Sequence, residues 1–86
     1  MDRATVLEAV ITTAVEVLKL DPEQVTETAT WAEDLDADSL DLTELVMALE
    51  DQFDVEVPED DLAEVKTVGD AADVVLAVVG ASAAAS

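Results

Sequence analysis

Cysteine, histidine and tyrosine are absent from this 86-residue chain. Without cysteine there can be no disulfide and no thiolate metal site, so a secreted, cross-linked fold has no support. The lack of both histidine and cysteine also removes the commonest general bases and activated nucleophiles. Trp31 and Phe53 are the only aromatic residues, which leaves valine, leucine, isoleucine and alanine to build the core. No apolar run approaches the roughly 20 residues that a membrane span needs. Met1-Asp2-Arg3 does not resemble the basic start of a signal peptide, and a cytoplasmic location is expected. The length suits one domain with a modest core.

Basic residues are almost as scarce. Arg3, Lys19 and Lys66 stand against 22 acids, for a formal net charge of -19. Between Leu20 and Val65 every charged residue is acidic. Nucleic acid and anionic membrane are poor partners for such a chain, because both need cationic surface. Basic protein surfaces would be attracted, although acids also simply keep a small domain soluble.

Hydrophobic periodicity points to an all-α fold. Val6, Leu7, Val10, Ile11, Ala14, Val17 and Leu18 predict a first helix from about Arg3 to Lys19, ended by Asp21-Pro22. A long polar connection follows, with Val25, Trp31 and Leu35 as its apolar anchors. In a compact domain a connection of this length is expected to be pinned down or functional. A second helix starts with Asp38 as N-cap and Asp41 near the positive end of the dipole. Leu42, Leu45, Val46, Leu49 and Phe53 form its buried stripe. Pro58 opens a short third helix to about Glu64, and Val55 and Val57 point inward from the loop before it. Thr67-Val68-Gly69-Asp70 reads as a capping box for a fourth helix that Gly80 should stop. The expected architecture is a small four-helix bundle, three main helices and one short one, with a long loop between the first two. Residues 1–80 form the domain, and 81–86 form a frayed Ala/Ser tail.

Three features carry candidate chemistry. Asp34, Asp36 and Asp38 match positions 1, 3 and 5 of a calcium loop. The glycine expected at position 6 is instead Ser39, and the bidentate glutamate at position 12 is Leu45, so no metal site is assigned. Leu40, Glu44, Met47 and Asp51 run along a second face of the second helix, where an apolar pair among acids suits a docking surface. Single exposed apolar side chains are equally an ordinary feature of surfaces. Ser39 lies in the first turn of that helix with no histidine or cysteine in the chain to activate it. A serine there most often caps the helix, yet a helix N-terminus also favours an attached phosphate.

The stretch Trp31-Ala-Glu-Asp-Leu-Asp-Ala-Asp-Ser-Leu-Asp-Leu-Thr-Glu-Leu-Val-Met-Ala-Leu-Glu, continuing through Phe53-Asp54 to Val57-Pro58, resembles the bacterial acyl carrier proteins. The similarity extends more loosely through Lys66-Thr-Val-Gly-Asp-Ala, and the helical layout matches over about residues 3–80. The resemblance implies that Ser39 carries 4′-phosphopantetheine, transferred from coenzyme A by a separate magnesium-dependent synthase. The arm's terminal thiol would hold acyl groups as thioesters, so the chain would be a carrier and not an enzyme.

Glu44, Met47 and Glu50 match the family's recognition positions. Leu40 and Asp51 on the same face, and Asp38 and Asp41 beside Ser39, complete the set expected to meet partners. Those partners would be a phosphopantetheinyl transferase and acyl-processing enzymes (ketosynthase, acyltransferase, reductases), met through basic surfaces by a monomeric carrier. An acyl chain would shelter near Val46, Leu49, Val65 and Ala71. Asp36 stands where glycine is common, Thr43 where valine is, and Trp31 where phenylalanine is; the last two are expected to border the acyl space. The starting methionine and an end near Ser86 suggest a free-standing carrier of fatty-acid or polyketide synthesis. The alternative is an acidic docking or ion-binding helical module with Ser39 unmodified.

Overall fold

A computed structural model describes residues 2–85, and side-chain surroundings for all of these except 59 and 81–85. It contains four helices: α1 (Arg3–Leu18), α2 (Ser39–Phe53), α3 (Glu59–Leu62) and α4 (Val68–Ala85). Helix α1 is the spine, packing against both α2 and α4, while α3 packs on α4. Among the described residues the one β feature is an isolated antiparallel bridge between Thr30 and Thr67.

Four-residue spacing places Val6, Val10 and Ala14 on the inner face of α1, all fully buried. Asp2 caps it, its carboxylate accepting the Thr5 N–H at 2.9 Å. The helix ends before the Asp21-Pro22 pair that was expected to stop it. Lys19 turns left-handed at φ 56° and returns its N–H to the Val15 carbonyl, which closes the last turn two residues earlier. Asp21 instead organises the next turn by accepting the Glu23 N–H at 3.0 Å.

The long connection is pinned, as expected. Val25, Ala29, Trp31, Leu35 and Ala37 are all buried. Its backbone is stitched to the segment leading into α4: Trp31 N–H donates to the Lys66 carbonyl at 3.0 Å, Val68 N–H to Ala29 at 3.0 Å, and Gly69 N–H to Glu27 at 2.8 Å. A Cβ at residue 69 would lie 2.9 Å from Glu27 Cγ and 3.1 Å from its carbonyl oxygen, so this approach requires glycine. Arg3 adds ion pairs to Glu27 at 2.8 Å and Asp73 at 2.6 Å, tying α1, the connection and α4 together. Both partners hold the Arg3 pKa above its ordinary value, Asp73 most strongly.

Helix α3 is shorter than the expected span to Glu64. Asp61 and Leu62 donate to the Pro58 carbonyl, but Glu64 and Val65 already bond back three residues, in turn geometry. The capping box at Thr67 forms: Asp70 N–H donates to Thr67 Oγ1 at 3.1 Å and Thr67 N–H to Asp70 Oδ2 at 3.2 Å. Gly80 does not stop α4. It takes no positive φ, and the helix runs on to Ala85 through a run of mostly alanine, the best helix former. Ser86 lies outside the described residues.

The N–H groups of Thr67 and then Lys66 hold the Asp70 carboxylate below its ordinary pKa of 3.8. A lowered folded-state pKa gives stability that is fully present above 3.8 and is lost as pH falls through the lowered value. The stability gap between the chain and its Asp70→Ala variant should therefore be constant near neutrality and close in acid. Urea denaturation of both proteins across pH measures it, and the difference cancels the general relief of charge repulsion that acid brings. A gap that widened on acidification would contradict the assignment.

Candidate attachment site and docking face

The approach to α2 is a series of short-range hydrogen bonds. Asp34 accepts from Thr30 N–H at 2.9 Å and from its hydroxyl at 3.2 Å, while Ala37 N–H reaches the Trp31 carbonyl at 2.7 Å. Between them Asp36 sits at φ 53°, the left-handed geometry that glycine accepts freely and aspartate tolerates better than most residues. This turn delivers Asp38 to the N-cap. Asp38 Oδ1 accepts the Asp41 N–H at 2.9 Å, and Asp41 Oδ2 accepts the Asp38 N–H at 3.2 Å, a complete capping box.

Capping is therefore done by Asp38, not Ser39. Ser39 is the first residue of α2 and is exposed, and among the described residues its hydroxyl has no hydrogen-bond partner. Its carbonyl accepts the Thr43 hydroxyl at 2.8 Å, which fixes the backbone that presents it. The amides of Ser39 and Leu40 at the positive end of the helix are likewise uncommitted among the described residues. An exposed, unengaged primary hydroxyl beside free amides fits covalent attachment of a phosphodiester. Two of the three carboxylates of the calcium-like series are engaged elsewhere: Asp34 with Thr30 and Asp38 with Asp41. Among the described residues no three acidic side chains converge on a metal position.

Leu40 and Met47 are 66% and 61% exposed, the large apolar side chains most open to water. Glu44 and Asp51 are exposed with them, so all four stripe residues are accessible. Asp41 is half-buried in its capping box. Glu50 is also half-buried, and its Oε2 accepts the Val57 N–H at 2.7 Å, fastening the loop after α2. No sequence signal announced that bond. Met47 also opens onto a shallow depression bordered by Asp51, Asp54, Glu56 and Pro58, a feature that sequence reasoning missed.

Val46, Leu49, Val65 and Ala71 all border one enclosed apolar cavity, joined by Leu42 and Val75. Its volume is about 20 Å³, room for about one water molecule. Trp31 and Thr43, expected to border the acyl space, do not line this particular cavity. Trp31 is buried in the core, with its indole N–H on the Thr67 carbonyl at 2.9 Å, and Thr43 is exposed and turned back on Ser39.

The family described as "Phosphopantetheine attachment site" matches residues 8–75. An acyl carrier protein of Phenylobacterium zucineum is 54% identical over 66 residues, covering 77% of this chain and 84% of that protein. One from Thermosynechococcus vestitus is 47% identical over 73 residues, covering 85% and 90%. Among solved structures, the apo doublet acyl carrier protein from prodigiosin biosynthesis superposes with a TM-score of 0.73 at 26% identity. That match covers 87% of this chain but 36% of the other, so this chain spans about a third of it. The chain belongs to the phosphopantetheine attachment-site family and, within it, to the bacterial acyl carrier proteins. It is a carrier rather than a catalyst, and its cofactor is covalently attached 4′-phosphopantetheine. The role entails a phosphopantetheinyl transferase and acyl-processing enzymes as partners. Among the described residues no helix is long and apolar enough to cross a membrane.

Proposed function

We propose that Ser39 is the attachment point, and that the chain shuttles acyl thioesters between the separate cytoplasmic enzymes of fatty-acid or polyketide synthesis as a free-standing monomer. The carrier domain is residues 1–80, with 81–86 as a tail. The observation that carries this reading is the division of labour at the start of α2: Asp38 caps the helix and leaves the Ser39 hydroxyl free. Ser39 Oγ forms the phosphodiester bond to the phosphopantetheinyl group of coenzyme A as the pyrophosphate bond of coenzyme A breaks and adenosine 3′,5′-bisphosphate leaves. The serine proton passes to a base of the transferase. Intact mass after incubation with coenzyme A and a promiscuous transferase should rise by one phosphopantetheinyl group, with peptide mapping placing it at Ser39. An unchanged mass would favour an acidic docking module instead.

Partners dock on α2 through Leu40, Glu44, Met47, Glu50 and Asp51, with Asp38 and Asp41 adding charge beside the serine. The far end of α2 supports this. Glu50, Asp51 and Asp54 cluster at the negative end of the helix dipole, where no basic residue offsets them. Such an arrangement costs stability in the free protein, and a cationic partner surface relieves it. Glu44→Lys should slow both modification and acyl transfer, roughly tenfold at low salt, and should flatten their salt dependence. Met47→Ala should weaken binding while leaving the salt dependence intact. Unchanged rates for Glu44→Lys at low salt would move the docking face off α2.

A further inference from the structure

Leu42 and Val65 each face two cavities. With Val46, Leu49 and Ala71 they line the enclosed aliphatic cavity. With Trp31 they also line a second pocket of about 250 Å³, open to solvent and rimmed by Thr30, Glu33 and Lys66. Leu42 lies three residues beyond Ser39 on α2, roughly 4.5 Å along the helix axis. An arm rooted at Ser39 therefore starts less than one turn from this second pocket.

The two cavities differ in chemistry. The enclosed one offers only aliphatic side chains, so a ketone or hydroxyl drawn into it would lose its hydrogen bonds to water and gain none. The open one has apolar walls and a cation. Lys66 is exposed and, among the described residues, forms no ion pair, although 22 acids surround the three basic residues of the chain. The Thr30 hydroxyl is already committed to Asp34, which leaves the Lys66 ammonium as the free side-chain donor. Glu33 on the same rim, together with the net charge of -19, repels a carboxylate ligand. The fitting ligand is thus apolar in body, uncharged, and supplied with an oxygen acceptor.

We infer that this pocket is a second acyl subsite, which receives acyl groups bearing a 3-oxo or 3-hydroxy oxygen, while saturated chains enter the enclosed cavity. The inference rests on Ser39 as the attachment point and deepens that reading by naming how cargo is sorted on the carrier. Lys66 is the residue that selects: it donates to the oxygen that the aliphatic cavity cannot satisfy. Leu42 and Val65 form the wall between the two destinations.

Trp31 makes the test direct, because it is the only tryptophan and the chain has no tyrosine. The whole protein is loaded at Ser39 with amide-linked hexanoyl or 3-oxohexanoyl pantetheine, which resists hydrolysis. Tryptophan emission and the indole N–H resonance are then compared with those of the unacylated holo form. The 3-oxo group should shift both Trp31 signals, whereas hexanoyl should shift backbone resonances at Leu49 and Val75 and leave Trp31 near its holo values. Lys66→Met keeps the length of the side chain and removes its charge, and should erase the Trp31 shift. Equal Trp31 shifts for the two acyl groups, or an unaltered 3-oxo shift in Lys66→Met, would overturn the subsite. Failure of the loading step itself, read by mass, would instead sink the assignment of Ser39.

Discussion

Ser39→Ala should gain no mass when incubated with coenzyme A and a phosphopantetheinyl transferase, while the unsubstituted chain gains one group per molecule. The loss is complete because the bond forms at the deleted oxygen. Ser82 and Ser86 are the other serines of the chain, both more than 40 positions from residue 39 in sequence and outside the Asp-Ser-Leu pattern. Stability gives a second, independent readout. Had Ser39 been the helix cap, its removal would cost about 1 kcal/mol. With Asp38 accepting the Asp41 N–H and Asp41 returning the bond, alanine at position 39 should cost only a few tenths of a kcal/mol, within the range of neutral surface changes. Asp38→Ala should show the opposite pattern: a loss of about 1 kcal/mol with the hydroxyl still present. If Ser39→Ala accepted the group, or if it destabilised the helix as a lost cap does, the division of labour between the two residues would be wrong.

That contrast marks where sequence reasoning succeeds. The apolar period of α1 and α2, the Asp38 cap and the Thr67–Asp70 box all rest on contacts within four residues, and each appears in the structure. The four cavity residues were also legible, because the buried stripe of α2 must meet whatever packs across it. What failed was decided over longer distances or by competing local chemistry. Lys19 closes α1 with a left-handed turn that no motif announces, and Gly80 stays helical because its φ is set by the turns around it. Glu50 matches a recognition position, and nothing local in the sequence indicates that its carboxylate also accepts the Val57 N–H across the loop. The clamp that buries Trp31 was equally invisible, because it involves residues more than thirty positions away.

That clamp carries the second large effect. Trp31 is 1% exposed, and its indole N–H bonds the Thr67 carbonyl at 2.9 Å while its own amide bonds the Lys66 carbonyl. Trp31→Ala deletes the largest side chain of an otherwise aliphatic core and should cost about 3–5 kcal/mol. A domain of this size has about 4–13 kcal/mol in total, so the loss is a large fraction of its stability. Trp31→Phe keeps most of the volume and removes the indole donor from the Thr67 carbonyl, which still accepts the Ala71 N–H at 3.2 Å, and should cost about 0.5–1.5 kcal/mol. Urea denaturation followed by far-ultraviolet circular dichroism measures both, since the variants lose the fluorophore. The functional consequence should be graded in the same order, because the connection that Trp31 anchors also delivers Asp38 and Ser39 to the start of α2. Transferase modification should slow modestly in Trp31→Phe and severely in Trp31→Ala, and cooling or stabilising salt should recover part of the loss. If Trp31→Ala were as stable as the unsubstituted chain, the connection would be held by its backbone bonds alone, and the indole would have no structural role in presenting the serine.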